Sequence, residues 1–179
     1  LGAATFIHEL VESHGLGNAE REALVLPCGI GSMARAAALL IKEMNLGVDL
    51  FIAEAQGYAK VSALHGAGPA PRGGPTLAEG IAILTLSKAT EEVLDKDHIK
   101  AGPVSEGGIA EGMAHLWHSH GIRAEGAGAI STAFALKHAK SLQGYDKVWS
   151  LVTGRAISQE KFEGIMTATL RTKQPIKRP

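Results

Sequence analysis

Pro27-Cys28-Gly29-Ile30-Gly31-Ser32-Met33 follows a short apolar run, Ala23–Leu26, and opens a long Ala- and Leu-rich run from Met33 to Asn45. A glycine turn placed between a strand and a helix leaves backbone N–H groups exposed at the helix start, and glycines let an anion approach the backbone closely. Such a turn either holds a phosphate or simply joins strand to helix, and the pattern alone allows both. It is not a nucleotide fingerprint, because no Lys-Ser/Thr pair follows it and no Gly-x-Gly-x-x-Gly is formed. Cys28, beside the turn, reads as a small buried apolar group; no histidine or acid is fixed next to it to make a nucleophile. His115, His118 and His120 are spaced so that two can share a helix face while the third points away, so a solvated helix end is expected there and not a zinc site. Near the other end of the chain, Thr153-Gly154 marks a turn whose hydroxyl, taken alone, caps a strand end.

These residues need elements to hold them. Residues 4–14 carry Phe6, Ile7, Leu10 and Val11 at helical spacing, ended by Gly15 and Gly17. Ala23–Leu26 reads as a strand buried on both faces, Met33–Asn45 as a helix stopped by Gly47, and Val48–Ala53 as the next strand. Strand, turn, helix, strand is a βαβ unit, which implies a parallel sheet. Gly66–Pro75 is too rich in Gly and Pro for regular structure and is expected to be an exposed loop. Short helices over Thr76–Leu84 and Ser87–Leu94 are expected next, then a strand over Ile99–Val104, with Ser105 as N-cap of a helix at 106–120. A helix over Ala127–Leu142, a strand over Lys147–Val152 and a last helix from a Ser158 cap to about residue 169 complete the pattern. The fold class expected is α/β: a three-layer αβα sandwich with a mainly parallel twisted sheet. Residues 1–170 are expected to form one unit, followed by a basic, frayed tail at 171–179.

Composition narrows the function classes. A chain of 179 residues suits one domain, and 18 Lys plus Arg balance 18 Asp plus Glu, so no net field favours nucleic acid or an anionic membrane surface. No apolar run approaches the ~18 residues of a membrane span, and a single cysteine excludes a disulfide framework. A soluble chain in the cytoplasm is the expectation. Glycine is high, at 22 residues, and aromatics contribute only 4%, which favours closely packed small-residue helices over an all-β core. The chain opens on Leu1, with neither a basic segment nor an apolar one behind it, and is expected to be the remainder of something longer.

Six segments, in order, resemble the pyridoxal-phosphate (PLP) enzymes of fold type II, in particular the threonine dehydratase, serine racemase and threonine synthase branch. Gly2-Ala3-Ala4-Thr5-Phe6-Ile7-His8-Glu9 is similar to that family's Gly-x-x-Thr-x-x-x-Glu, and Pro27-Cys28-Gly29-Ile30-Gly31-Ser32-Met33 to its Pro-x-Gly-Gly-Gly-Gly-Leu. Thr76-Leu77-Ala78-Glu79-Gly80-Ile81-Ala82, Val104-Ser105-Glu106 and Glu125-Gly126-Ala127-Gly128-Ala129 resemble three further segments. Leu151-Val152-Thr153-Gly154 resembles the one that brings a hydroxyl to the pyridine nitrogen. The resemblance spans roughly residues 2–166.

The resemblance implies PLP as cofactor, with Gly29, Ile30, Gly31, Ser32 and Met33 at its phosphate and Thr153 at its ring. It implies β-elimination or β-replacement on a small hydroxy amino acid such as serine or threonine. The Schiff-base lysine is expected outside this chain, since the Ser-x-Lys-x-Arg-Gly motif is absent and Lys42 and Lys137 lie on expected helix faces. A homodimer or a complementary N-terminal segment is the partner this implies. Three departures favour an alternative, a non-catalytic relative serving as a binding or interaction module. Ile30 stands where glycine is usual and tolerates positive φ badly, and Arg155-Ala156 replaces the usual Gly-Asn. Downstream of Glu54, where metal-using members carry a second acid, Ala55–Lys60 has none, so no divalent-ion site is expected.

Overall fold

The computed structural model describes residues 2–96 and 98–173. A 3-10 turn, Gly2–Ala4, leads into α1 (Thr5–Glu9), which continues as a π turn over Leu10–His14 and stops at Gly15 in the left-handed region (φ 75°). Then follow β1 (Glu22–Pro27), α2 (Ser32–Glu43), β2 (Val48–Ala55), α3 (Lys60–Leu64), α4 (Lys88–Leu94), β3 (Ile99–Val104), α5 (Glu106–His120), α6 (Gly126–Lys137), β4 (Lys147–Ser150) and α7 (Gln159–Lys173). All strand pairs are parallel, in the order β3-β2-β1-β4.

The two central strands are buried on both sides because their residues alternate between two apolar layers. Leu24, Leu26, Leu50 and Ile52 meet Ala34, Ala37 and Ile41 of α2, with Ile7, Leu16 and Leu94 behind them. On the opposite face Ala23, Val25, Phe51 and Ala53 meet Ile130, Ala133 and Phe134 of α6, and α5 and α7 pack outside. The first nine residues of α6, Gly126–Phe134, are all buried, which explains why that segment has no polar stripe. The αβα sandwich expected from the sequence is the fold observed. No helix among the described residues is long and apolar enough to cross a membrane.

Three local expectations change. The helix expected over Thr76–Leu84 is only a 3-10 turn, Glu79–Ile81, because the Leu77 amide is captured by Glu106 Oε2 (2.6 Å) and Thr76 Oγ1 accepts from the Ala78 amide (3.1 Å). The helix expected to reach Leu142 ends at Lys137, and tight turns onto the His138 carbonyl carry the chain back towards β4. Residues 171–173, assigned to a tail, continue α7; the remainder of that segment lies outside the described residues.

Glu22, at the start of β1, has no solvent exposure. Burial opposes its charge, but hydrogen bonds from the Ala19 amide (2.6 Å) and the Trp149 indole (2.5 Å) outweigh it and hold the carboxyl below its ordinary range. A carboxyl lowered by folding stabilises the fold above the unfolded value of 4.5, and that contribution disappears as pH falls through the lower folded value. Glu22→Gln should therefore cost roughly 1–2 kcal/mol near neutrality. Denaturation midpoints measured across the acid range should show the gap to the parent closing as pH drops.

Candidate functional site

β1 is the strand at which the direction of sheet growth reverses. From β1 the chain passes through α2 to β2 on one side, whereas β4, reached last, lies on the other. In open parallel sheets the crevice at such a reversal, beyond the carboxyl ends of the strands, is where ligands bind. The loops that leave β1 and β4 at that end are Cys28–Gly31 and Leu151–Ser158. β1 and β4 are in register up to Val25 and Ser150, and Cys28 and Thr153 each follow three residues later. The sheet thus delivers to one crevice the two segments that the sequence could only name separately.

In the loop after β1 a phosphate would find backbone and little else. The amides of Gly29, Ile30, Gly31, Ser32, Met33 and Ala34 make no hydrogen bond among the described residues, and no side chain caps α2. Unbonded N–H groups at the start of a twelve-residue helix, with the positive end of its dipole behind them, suit a dianion. Gly31 carries the one strained conformation (φ 86°), and a Cβ there would lie 2.6 Å from Thr90 Cγ2. Ile30 is not at positive φ; its side chain is 64% exposed, so the loop accepts a β-branched residue because the turn is made one residue later. Ser32 is exposed, with its hydroxyl unbonded among the described residues, whereas Met33 packs its side chain towards the α2 core and offers only its amide.

Thr153 is exposed at the mouth of the second loop, and the backbone behind it is held by close packing. The Glu125 amide donates to the Gly154 carbonyl (3.2 Å), and a Cβ on Gly128 would lie 2.2 Å from that carbonyl oxygen. On the other side of the α6 start, a Cβ on Gly126 would lie 2.2 Å from the Leu77 carbonyl oxygen. The circuit closes through Gly80, whose Cβ position is 3.3 Å from Ala127 Cβ, and through Gly29, whose Cβ position is 3.4 Å from Ile81 Cα. Backbones meet at these points because the sequence places glycine there. Ser105 caps α5 by accepting from the Gly108 amide (3.2 Å), which sets the neighbouring Glu106 to hold Leu77. Four of the six motif segments therefore pack around the crevice, and a fifth, Val104-Ser105-Glu106, supports it from beneath.

Cys28 is 1% exposed, and burial pushes its thiol up to about 11, with Lys60 pulling the other way and Glu54 adding to the rise. A thiol kept protonated is a poor nucleophile. Ellman's reagent at mildly alkaline pH should leave the folded chain unlabelled and modify one thiol per chain in guanidinium; rapid labelling of the native protein would contradict this environment. Among the described residues no group of three His, Cys, Asp or Glu is placed to hold a metal. The His115 and His120 rings meet edge to face at 5.7 Å at the end of α5, away from the crevice.

Sequence reasoning noted Glu54 and Lys60 only as a site lacking its second acid. Both are buried, and the Lys60 ammonium donates to the Cys28 carbonyl (2.8 Å), directly beneath the loop. A charged pair embedded in a buried strand and the turn after it was the available signal.

A glycine turn after β1 and the Thr153 turn after the adjacent β4 open at the reversal of an all-parallel sheet, and comparison with known families places this architecture. Residues 1–154 match the family of pyridoxal-phosphate-dependent enzymes, and the chain belongs to that family. Pyridoxal phosphate is the cofactor that goes with it. The L-threonine ammonia-lyase of Thermotoga maritima is 32% identical over 117 residues, covering 64% of this chain and 29% of that protein. Among solved structures, a fungal L-serine ammonia-lyase from Rhizomucor miehei superposes with a TM-score of 0.78 at 19% identity, covering 96% of this chain and 55% of that one. Maize serine racemase superposes at 0.75 and 22% identity, covering 93% and 52%. The chain thus spans about half the length of these solved relatives and less than a third of the curated one.

Proposed function

We propose that this chain supplies the phosphate and ring-nitrogen contacts of a PLP enzyme that eliminates or replaces the β-substituent of serine or threonine. The observation that carries this reading is the unbroken run of unbonded amides from Gly29 to Ala34. In this reading the amides of Gly29, Ile30, Gly31, Ser32 and Met33, with the Ser32 hydroxyl, hold the phosphate. Thr153 presents its hydroxyl to the pyridine nitrogen. When bound, PLP supplies an electron-withdrawing ring that stabilises negative charge at the α-carbon of an amino acid. A hydroxyl, unlike a carboxylate, does not hold the ring nitrogen protonated; Thr153 therefore tempers that withdrawal and suits loss of a β-substituent better than transamination.

The Schiff-base lysine in this proposal comes from outside residues 1–179, on a further segment or a second chain. Lys60, Lys100, Lys137 and Lys161 are each committed to carbonyl or carboxylate oxygens, which supports that assignment. The names of the Thermotoga and Rhizomucor relatives support a hydroxy amino acid as substrate. Racemisation, the activity in the maize neighbour's name, is the competing reaction, and the products separate the two: an oxo acid for elimination, the D-amino acid for racemisation. The compartment we propose is the cytoplasm, on the one buried, unpaired cysteine.

The test adds PLP to the purified chain, records the visible spectrum, then reduces with borohydride and maps any modified peptide by mass. Saturable binding with no reduced adduct is expected. A stoichiometric adduct on one lysine would overturn the assignment of that lysine to another segment, and absence of binding would overturn the phosphate loop.

A further inference from the structure

Lys60 is 6% exposed, and nothing in the proposed function uses it. Its ammonium lies in a nest of oxygens: the Cys28 carbonyl at 2.8 Å, the Tyr58 carbonyl at 3.3 Å and Glu54 Oε1 at 3.9 Å. Glu54, fully buried, is itself fixed, since Oε1 accepts from the Val61 amide (2.8 Å) and Oε2 from the Ser62 amide (2.9 Å) and hydroxyl (2.8 Å). Three segments meet at this one charge: the end of β1, the end of β2 and the turn into α3. An aliphatic side chain would fill the same space without the desolvation cost of an ammonium. What the charge adds is its hold on the two carbonyls.

One of those carbonyls directs the loop. In a planar trans peptide the C=O and the following N–H point in opposite directions. With the Cys28 oxygen held inward by Lys60, the Gly29 N–H, first of the unbonded run, is turned away from the core.

We infer that Lys60 is a positioning residue: its ammonium is a built-in cation that sets the peptide entering the phosphate loop, in an oxygen nest able to take a free hard cation when the side chain is shortened. The inference rests on the reading of Gly29–Ala34 as the phosphate loop. A buried carboxylate with two backbone carbonyls is the donor chemistry that magnesium, calcium and potassium select.

The test compares the parent chain, Lys60→Ala and Lys60→Met by PLP titration and thermal midpoint, each alone and with millimolar magnesium, calcium or potassium chloride. The parent should not respond to the cations. Lys60→Ala should lose about tenfold or more in PLP affinity, as when a supporting group behind a binding group is removed. One of the three cations should restore both its affinity and its midpoint. Lys60→Met fills the nest with an apolar chain, so it should lose affinity and not be rescued. A Lys60→Met chain binding PLP within about twofold of the parent, or a folded Lys60→Ala chain that no cation improves, would overturn the inference. Should Lys60→Ala prove insoluble under every condition, the Lys60→Met affinity decides. Should the parent itself bind no PLP, the loop reading falls instead; a cation-dependent midpoint in Lys60→Ala would still support the cation nest, and its absence would overturn it.

Discussion

Gly31→Ala should lower affinity for PLP by about two orders of magnitude while the chain stays folded. The residue sits at φ 86°, where an L side chain costs about 1–2 kcal/mol. Its Cβ would also press against Thr90 Cγ2 at 2.6 Å and Leu86 Cδ2 at 3.1 Å, both of them side-chain atoms that can shift. Relaxing the strain means rotating the peptides on either side, which re-aims the amides of the loop. The thermal midpoint should fall by only about 2–8 °C, the shift that such an energy produces in a domain of this size. Adding Thr90→Ser removes the methyl that is struck but not the backbone strain. The double variant should regain part of the midpoint and none of the affinity. A folded Gly31→Ala chain that binds PLP like the parent would sink the loop assignment.

Gly128→Ala, like Gly126→Ala beside it, should be among the most damaging single methyls in the described chain. Its Cβ would lie 2.2 Å from the Gly154 carbonyl oxygen and 2.8 Å from the Gly154 nitrogen, so the obstruction is backbone on both counts. Either the start of α6, buried throughout, or the segment carrying Thr153 must move. A cost of roughly 3 kcal/mol or more is expected in urea denaturation, in the range of overpacked cores. Gly164→Ala provides the contrast within the same molecule. Gly164 lies in the middle of α7 with nothing within 4 Å of its Cβ position, so alanine there should stabilise by about 0.5–1 kcal/mol. Equal effects at the two positions would mean that the close approach of α6 to Gly154 is absent in solution.

The two variants separate the parts of the crevice. Gly31 governs one loop by its own torsion, and its neighbours are yielding side chains. Gly128 governs the other loop from a distance along the chain, because helix and loop share a van der Waals surface. A large loss of PLP affinity with only a small loss of stability is therefore the signature of the first, and a large loss of both is the signature of the second.

Much of this was legible in the order of the residues. Apolar runs at Ala23–Leu26 and Val48–Ala53 flank a helical run stopped by Gly47, and β1, α2 and β2 form there within two residues of those bounds. Ser105 and Ser158 accept from the amides three residues on, as the expected N-caps would. Hydrogen bonds of this kind are made within a few residues, so neighbouring side chains suffice to specify them. Gly29–Met33 and Thr153 could be named as candidate cofactor contacts only through the family resemblance, and Ile30 was expected to disturb a turn that in fact bends at Gly31.

What the chain order left undetermined is everything that depends on which strands become neighbours. Thr76–Leu84 has the composition of a helix, yet a carboxylate 29 residues away takes the Leu77 amide and leaves a single 3-10 turn. Lys60 reads as a departure from an acidic pattern until folding brings it against a carbonyl 32 residues earlier. The glycines at 126 and 128 look like weak points in a helix, and only the approach of Leu77 and Gly154 makes them necessary. Local sequence determined the elements and the glycine turn, because torsional preference and capping act over one or two turns of chain. The tertiary structure decided the candidate site, because placing β4 beside β1 is a long-range choice set by packing two apolar layers, and that choice brings the Gly29–Ser32 turn, Thr153 and the buried Lys60–Glu54 pair to one end of the sheet.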